Sequence, residues 1–225
     1  MHEHPASTGP PPPSTTTQHA LDGLRNAITT RALRPGQRVG QDELAGQLGV
    51  SIAPIREALR ILEQEGQVTY YPRRGYFVTQ LDLADLSEIY ALRALLETRT
   101  ARQAIQAVDS QALERAASAA TDCARAVEAG NVLAELEANR RFHFAILEPA
   151  AHPHTLRLIR QLWDLTEAYR ALYYNQEQER RRTVAAHERI LAALVAHDAD
   201  LLVAELDEHR ERALAVLAQI LAPAA

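Results

Sequence analysis

Three histidines and one asparagine stand where helical spacing can bring them together. Asn139 and His143 are four residues apart in NRRFH, so they share one face if that stretch is helical. His187 and His209 each lie eleven residues from position 198, the centre of an expected turn. In an antiparallel helical hairpin both would sit roughly 16 Å from that turn, at the same level. Three neutral imidazole nitrogens and an oxygen suit Zn²⁺ or another divalent transition ion of the Zn or Ni kind, with positions left for water or a ligand. The competing reading is three unrelated histidines at a surface or satisfied in a core. His152, His154 and His197 fall at expected helix ends and read that way.

A second group of residues is basic and N-terminal. Between Gly40 and Gly75 the chain reads GQDELAGQLGVSIAPIREALRILEQEGQVTYYPRRG. A first short helix stops at Gly49, a residue suited to the left-handed C-terminal position. Ser51 takes the N-cap position of a second helix, with Val50 and Ile55 as a hydrophobic staple. Pro54 falls in the first turn, where its missing N–H does no harm. Ile55, Leu59 and Leu62 form the buried face, and Arg56 and Arg60, four apart, lie on another. Gly66 closes the helix. The runs 67–71 and 76–79 are rich in β-branched and aromatic residues around Pro72-Arg73-Arg74-Gly75, as in a hairpin. This is the order of a helix-turn-helix followed by a wing. In that architecture the second helix enters the DNA major groove with its first residues at the base edges. Arg25, Arg31, Arg34 and Arg38 are candidate phosphate contacts, which position a protein without reading sequence.

The elements that must carry these residues follow from the rest of the chain. Its 225 residues allow one large domain or two small ones. The net charge is −5 and every basic residue is arginine, so a nucleic-acid surface has to be a local cluster. A single cysteine, Cys123, excludes an internal disulfide framework and fits a reducing, cytoplasmic setting. Its alanine-rich helical surroundings read as core. No apolar run reaches the length of a membrane span, and the N-terminus lacks a secretion-signal pattern. Residues 1–17, MHEHPASTGPPPPSTTT, have the composition of a disordered tail.

A helix is predicted over 18–30, then a turn at 33–36 and a short strand at Arg38-Val39. After Thr79 the strand pattern ends. Helices are predicted over 82–107, 110–129, 131–148, 153–174, 176–197 and 199–221, the first of them either continuous or broken into two. Short connections between long helices favour antiparallel neighbours. The fold class is therefore mainly α: a winged helix-turn-helix at 18–80, then an all-α antiparallel bundle at 81–225.

Residues 20–80 resemble the GntR regulators, through LRPGQRV, DELAGQLGVSIAPIREALRILEQEGQV and RRGYFV. Members are bacterial repressors or activators, and repression is the expected mode here. The resemblance implies DNA contacts at Ser51, Arg56, Arg73, Arg74 and Gly75, to which Arg38 and Arg60 are added by position. One position departs: Ile52 stands where the family has an arginine able to read guanine. Residues 82–221 resemble the helical FCD domain of the FadR subfamily, through IYALRALLETRTARQA, NRRFHFAIL and AAHERILAALVAHDADLLVAELDEHRERAL. That resemblance implies a metal held by three histidines, matching His143, His187 and His209, and an aspartate, whose place Asn139 takes. It also implies a small organic-acid effector. Arg93 aligns with an arginine of the effector pocket, against the reading of a simple i,i+4 ion pair with Glu97. Arg140, beside the metal ligands, is a second effector candidate.

The expected partners are operator double-stranded DNA, a small carboxylate metabolite and a second copy of the chain, because paired half-sites call for a dimer. Two rivals remain at this level. One is a metal-dependent hydrolase fused to a DNA-binding head, with Glu148 or Glu188 as general base. The other is a DNA-binding dimer that needs no effector.

Overall fold

The first helix, α1 (Thr15–Thr29), buries Ala20, Leu21, Leu24 and Ile28, the face the spacing predicts. It starts at Thr15, inside the segment expected as tail, and Thr17 is buried with that face. The computed structural model describes residues 15–150 and 152–222; the first fourteen residues of the expected tail lie outside the described ones. Helices α2 (Gln41–Leu48) and α3 (Ile52–Gln64) follow. Gly49 sits between them with φ 66°, in the left-handed region that a side chain disfavours. Ser51 holds the N-cap position with extended backbone, but its side chain makes no capping hydrogen bond. Ile55, Ala58, Leu59 and Leu62 carry α3 onto α1.

Strands β1 (Val68–Tyr71) and β2 (Gly75–Val78) pair antiparallel, Val68 with Val78 and Tyr71 with Gly75. Arg73 (φ 64°) and Gly75 (φ 89°) make the left-handed turns at the tip. The strand expected at Arg38-Val39 is reduced to a single bridge, Arg38 to Phe77, extended by backbone bonds between 36–39 and 76–78. This completes a winged helix.

Asp82 begins the second domain with a capping box, exchanging bonds with the backbone and side chain of Asp85. The bundle runs α4 (Leu83–Ala104), α5 (Ser110–Glu128), α6 (Val132–Leu147), a 3₁₀ turn at Glu148–Ala150, α7 (Pro153–Leu165), α8 (Glu167–Tyr174), α9 (Glu177–Val195) and α10 (Ala199–Leu221). Of the two alternatives for the first long helix, the unbroken one holds, over Leu83–Ala104. One expectation is corrected: a break falls inside the single helix expected at 153–174. It occurs at Thr166, whose hydroxyl donates to the carbonyls of Leu162 and Trp163. Arg170 Nη1 donates to the same Trp163 carbonyl at 3.0 Å. A carbonyl drawn to side chains is lost to the helical ladder, and the axis turns there.

The core is in two parts. One, around Phe142, Ile146, Ile159, Trp163 and Leu194, belongs to the bundle alone. The other runs from the winged helix through Leu24 and Leu59 to Ala168, Leu172 and Leu217 of α8 and α10. Helix α8 is therefore shared between the domains. At Gly66, beside the end of α3, an added Cβ would collide with the side chain of Leu165, so head and bundle meet closely.

Candidate functional site

His143 on α6, His187 on α9 and His209 on α10 converge, each offering a nitrogen within 4.8 Å of the others. The ring of His143 lies 5.5 Å from that of His187 and 5.2 Å from that of His209. The equal distances from the α9–α10 turn put the last two on one level: Val195 ends α9, and Asp198 caps α10 through the N–H groups of Asp200 and Leu201. Asn139 is buried one turn before His143, and its Oδ1 is 3.1 Å from His187 Nε2. Burial holds all three imidazoles below their ordinary pKa, His209 at about 4, so they are neutral. Neutral nitrogen is the metal-binding form. His187 Nδ1 is buried without a protein partner.

Asn139, His143 and His209 open onto a narrow cavity of about 30 Å³, and His187 stands behind them, outside its lining. Its charged lining was only partly legible in the sequence. Arg93 lines it and is buried, and the i,i+4 pair with Glu97 is also present, Nε to Oε1 at 2.8 Å. Both readings of Arg93 describe the same residue. The residues missed are Glu97, Trp163, Arg170 and Arg210. Glu97 also accepts from Trp163 Nε1 at 2.7 Å and from Arg210 Nη1 at 2.6 Å. Burial pushes its carboxyl up, but Arg93 and Arg210 outweigh that and hold it below the usual range, hence ionised. The guanidinium carbons of Arg93 and Arg170 each stand 4.3 Å from the Trp163 ring centroid. Burial lowers Arg170 to about 10, which still leaves it charged at neutral pH, and its Nε has no protein partner.

Arg140 is not in this lining. It is ion-paired with Asp164 at 2.7 Å and with Glu167 at 3.5 Å, between α6 and the α7–α8 break. Asp164 and Arg140 both act on the charge of Glu65, at the end of α3, which places this network at the junction of the domains. The proposed bases of a hydrolase also lie elsewhere. Glu148 pairs with Arg160 at the surface, and Glu188 is exposed. Among the described residues the one carboxylate lining the cavity is Glu97, whose oxygens are occupied. Cys123 is buried, with its thiol pushed up to about 12 by that burial, and is a core residue.

On the winged helix, Ser51, Arg56 and Arg60 are exposed along the outer side of α3, and Arg73 and Arg74 at the wing tip. Arg56 Nε donates to Gln41 of α2 at 3.2 Å, which aims it from the start of both helices. Arg38 Nε donates to the Arg74 carbonyl at 2.9 Å and lies beside Gly75, bracing the wing. Arg74 covers the rings of Phe77 and Tyr71. Of the other candidate phosphate contacts, Arg25 is paired with Glu65 at 2.6 Å, whereas Arg31 and Arg34 are exposed. Ile52, at the departed position, packs against the core.

Comparison with known proteins agrees with both domains. The model of the FCD domain matches residues 88–212, and that of the bacterial regulatory proteins of the gntR family matches residues 16–78. The chain belongs to the GntR family of transcriptional regulators, in the branch that carries an FCD domain. It is 30% identical over 190 residues to the Nta operon transcriptional regulator of Aminobacter aminovorans, covering 82% of this chain and 88% of that protein. To the HTH-type transcriptional regulator McbR of Escherichia coli (strain K12) it is 29% identical over 207 residues, 90% of this chain and 93% of the other. The solved structure of E. coli McbR/YncC has a TM-score of 0.81 at 28% identity, over 92% of this chain and 99% of that one. The protein is a DNA-binding transcriptional regulator, not an enzyme. No described helix is long and apolar enough to cross a membrane.

Proposed function

We propose that this regulator binds operator DNA as a homodimer and that a small carboxylate in the histidine–arginine cavity sets its affinity for DNA. The observation that carries this reading is the lining of the cavity: three arginines, Arg93, Arg170 and Arg210, face it with one carboxylate, Glu97, and neutral histidines. The other carboxylate partners, Glu167 of Arg170 and Asp207 of Arg210, stand outside that lining. An anion in the cavity would meet guanidinium groups on three sides, where burial strengthens their attraction. Arg170 has a free buried Nε with which to meet it, and guanidinium groups suit carboxylates.

A divalent transition ion fits the same cavity. His143, His187 and His209 would hold it, with the Asn139 amide as a weaker, neutral oxygen ligand than a carboxylate. The orphaned nitrogen of His187 accords with a donor set awaiting a partner. When bound, the ion would supply a Lewis-acidic position for a carboxylate oxygen.

Control of DNA affinity follows from size. About 30 Å³ holds a water molecule or two. A carboxylate with even a short carbon chain needs a wall to move. Helix α8 is that wall: Arg170, Tyr173 and Tyr174 line the cavity, and the helix is hinged at Thr166. Its other side is the DNA-binding head's support, through Ala168 and Leu172 in the shared core. A ligand that displaces α8 re-aims the head, to the extent that its affinities for the two arrangements differ.

The test begins with DNA fragments selected by the protein from a random-sequence pool. A panel of mono- and dicarboxylates is titrated while DNA affinity is followed by fluorescence anisotropy and stability by thermal melting. At least one carboxylate should raise the melting temperature and change DNA affinity in the wild type, and do neither in Arg170→Gln. A protein that binds DNA but responds to no carboxylate, with or without added Zn²⁺ or Ni²⁺, is an effector-independent regulator, and the reading falls.

A further inference from the structure

The histidine–arginine cavity has a larger neighbour. Between α9 and α10 lies a second cavity of about 320 Å³, open to the surface. Tyr173 and His209 line both cavities, and no other described residue does. The wall between the two is therefore one phenol and one imidazole. His209, at this wall, is half-buried, whereas His143 and His187 are buried. The Tyr173 hydroxyl donates to the Glu179 carbonyl at 3.4 Å and lies 3.2 Å from Thr183 Oγ1, both longer than the usual O–H···O range. Tyr173 also stands on α8, the helix a ligand has to displace. The groove between α4 and α10 touches the inner cavity too, at Tyr90 and Arg210. There the wall is locked, because Arg210 is buried and tied to Glu97 and Asp207. The weaker wall is that of Tyr173 and His209.

The charges of the outer cavity say what it takes. Arg182 and Arg189 face it from α9, and Arg212 and Glu208 from α10. Arg189 is balanced: it pairs with Glu205 at 2.7 Å and reaches Glu208 at 3.7 Å. The other two arginines share one carboxylate, the buried Glu179. Its Oε1 accepts from Arg182 at 2.7 Å and from Arg212 at 2.5 Å, and its Oε2 from Arg212 at 2.8 Å. Two guanidiniums on one carboxylate leave a positive charge over, and Glu179 fixes both in place. Arg182 keeps Nε and Nη2, and Arg212 keeps Nη1, with no protein partner among the described residues. Such donors suit an anion. Arg212 follows His209 by three residues, so the two are neighbours on one face of α10, about 5–6 Å apart at Cβ. Ala185 and Ala186 offer an apolar surface to a carbon chain between them.

We infer that the α9–α10 cavity is the outer half of the ligand site, where Arg182 and Arg212 take a second anionic group, a carboxylate or a phosphate. That group ends a short carbon chain whose first carboxylate lies among Arg93, Arg170 and Arg210. The chain passes between Tyr173 and His209. The inference rests on the carboxylate reading above and narrows its ligand to a doubly anionic one. A protein that binds monocarboxylates equally well keeps that reading and loses this one.

Trp163, the one tryptophan of the sequence, lines the inner cavity, so its fluorescence reports occupancy without DNA. The full chain is titrated with straight-chain monocarboxylates from butanoate to octanoate. Beside them run the dicarboxylates of the same carbon number and the matching chains that end in a phosphonate. At one chain length a doubly anionic compound should bind about tenfold tighter or more than its monocarboxylate. Which far end binds better, carboxylate or phosphonate, names the anion the outer arginines take. Arg182→Gln and Arg212→Gln should each remove most of that advantage and leave monocarboxylate affinity nearly unchanged, with the fold checked by circular dichroism. As a second measurement, Ala185→Phe narrows the outer cavity from an exposed position and should slow ligand association severalfold in stopped-flow fluorescence. Doubly anionic chains no tighter than monocarboxylates, an advantage that survives both arginine variants, variants that weaken both kinds of ligand alike, or unchanged association in Ala185→Phe would overturn the outer site.

Discussion

The hydroxyl of Tyr169 on α8 engages both backbone polar groups of Leu81, accepting from its N–H at 2.7 Å and donating to its carbonyl at 3.2 Å. Leu81 lies in the connection between wing and bundle. One residue along, Arg170 lines the effector cavity. A single turn of helix thus touches both the cavity and the strap to the DNA-binding head. Tyr169→Phe removes both bonds and leaves the helix in place, at a cost of about 1–2 kcal/mol in stability. Ligand binding, read as the thermal shift a carboxylate produces, should persist. The change that ligand makes in DNA affinity should shrink severalfold. Undiminished coupling in Tyr169→Phe would mean that the signal leaves the cavity by another element.

Glu97 pairs with both Arg93 and Arg210 in the cavity wall, and Arg210 also reaches Asp207 outside it. Replacing Glu97 with glutamine keeps the shape and removes the charge, leaving the buried guanidinium of Arg93 without a carboxylate and that of Arg210 with Asp207 alone. Breaking a buried network of this kind costs about 3–5 kcal/mol. Denaturant unfolding of Glu97→Gln should show a loss of that size, and a carboxylate ligand should restore part of it by supplying a new negative charge. A loss under about 1 kcal/mol, the range of surface pairs, would show that water rather than protein solvates these arginines.

Asn139→Asp places a carboxylate where a neutral amide oxygen now stands 3.1 Å from His187. Coulomb attraction to a divalent ion in a buried site is large, so affinity for Zn²⁺ or Ni²⁺ should rise by about tenfold or more. Competition with a chromophoric chelator measures this directly. Removal of bound ion should lower the melting temperature of both proteins, more so in the variant. Equal affinity in the two would place the ion, if it binds, out of reach of position 139.

On the DNA surface, base readers and phosphate contacts have different signatures. Arg56→Ala, on the outer face of α3, should cost about 1–3 kcal/mol of affinity and relax sequence preference. Arg73→Ala, at the wing tip, should weaken binding to all sequences alike and lower the salt slope by about one. Arg74 is a poorer probe, since its guanidinium also packs on Phe77 and Tyr71. If Arg56→Ala retains normal affinity and preference, α3 is not the reading helix.

The winged helix was legible because its signals are local. Gly49, Pro54 and the arginine-tipped turn each act within a few residues, and their order leaves little choice. The convergence of His187 and His209 was legible too, since two helices and a short turn fix it arithmetically. The arginine–glutamate network was harder. Arg93, Glu97 and Arg210 sit on the buried stripes of α4 and α10, in register with Leu86, Tyr90, Leu202 and Leu206. A charge at a core position of a helical pattern was the available signal. Arg140 stands outside the cavity lining although it follows Asn139 in sequence, since one residue further along a helix is about 100° further round it. The break at Thr166 depends on Arg170 reaching back to a carbonyl, a contact with no local sequence mark.

A pH effect separate from the histidines is expected at Glu135. Its side chain is fully buried; Oε2 accepts from Arg180 Nε at 2.5 Å and Oε1 has no protein partner. Burial raises its pKa to about 7, and Arg180 offsets that only in part. A carboxyl that holds its proton more tightly folded than unfolded favours the native state most at low pH. That stability is fully present below the unfolded value near 4.5 and is lost as pH rises through about 7. Wild-type stability should therefore decline across this window relative to Glu135→Gln, whose slope lacks the contribution, whatever the offset between the two curves. Denaturant midpoints at half-unit intervals from pH 5 to 7.5 give the slopes. Parallel curves would mean that Arg180 keeps Glu135 ionised throughout, and that the cost of its burial is met by that pair alone.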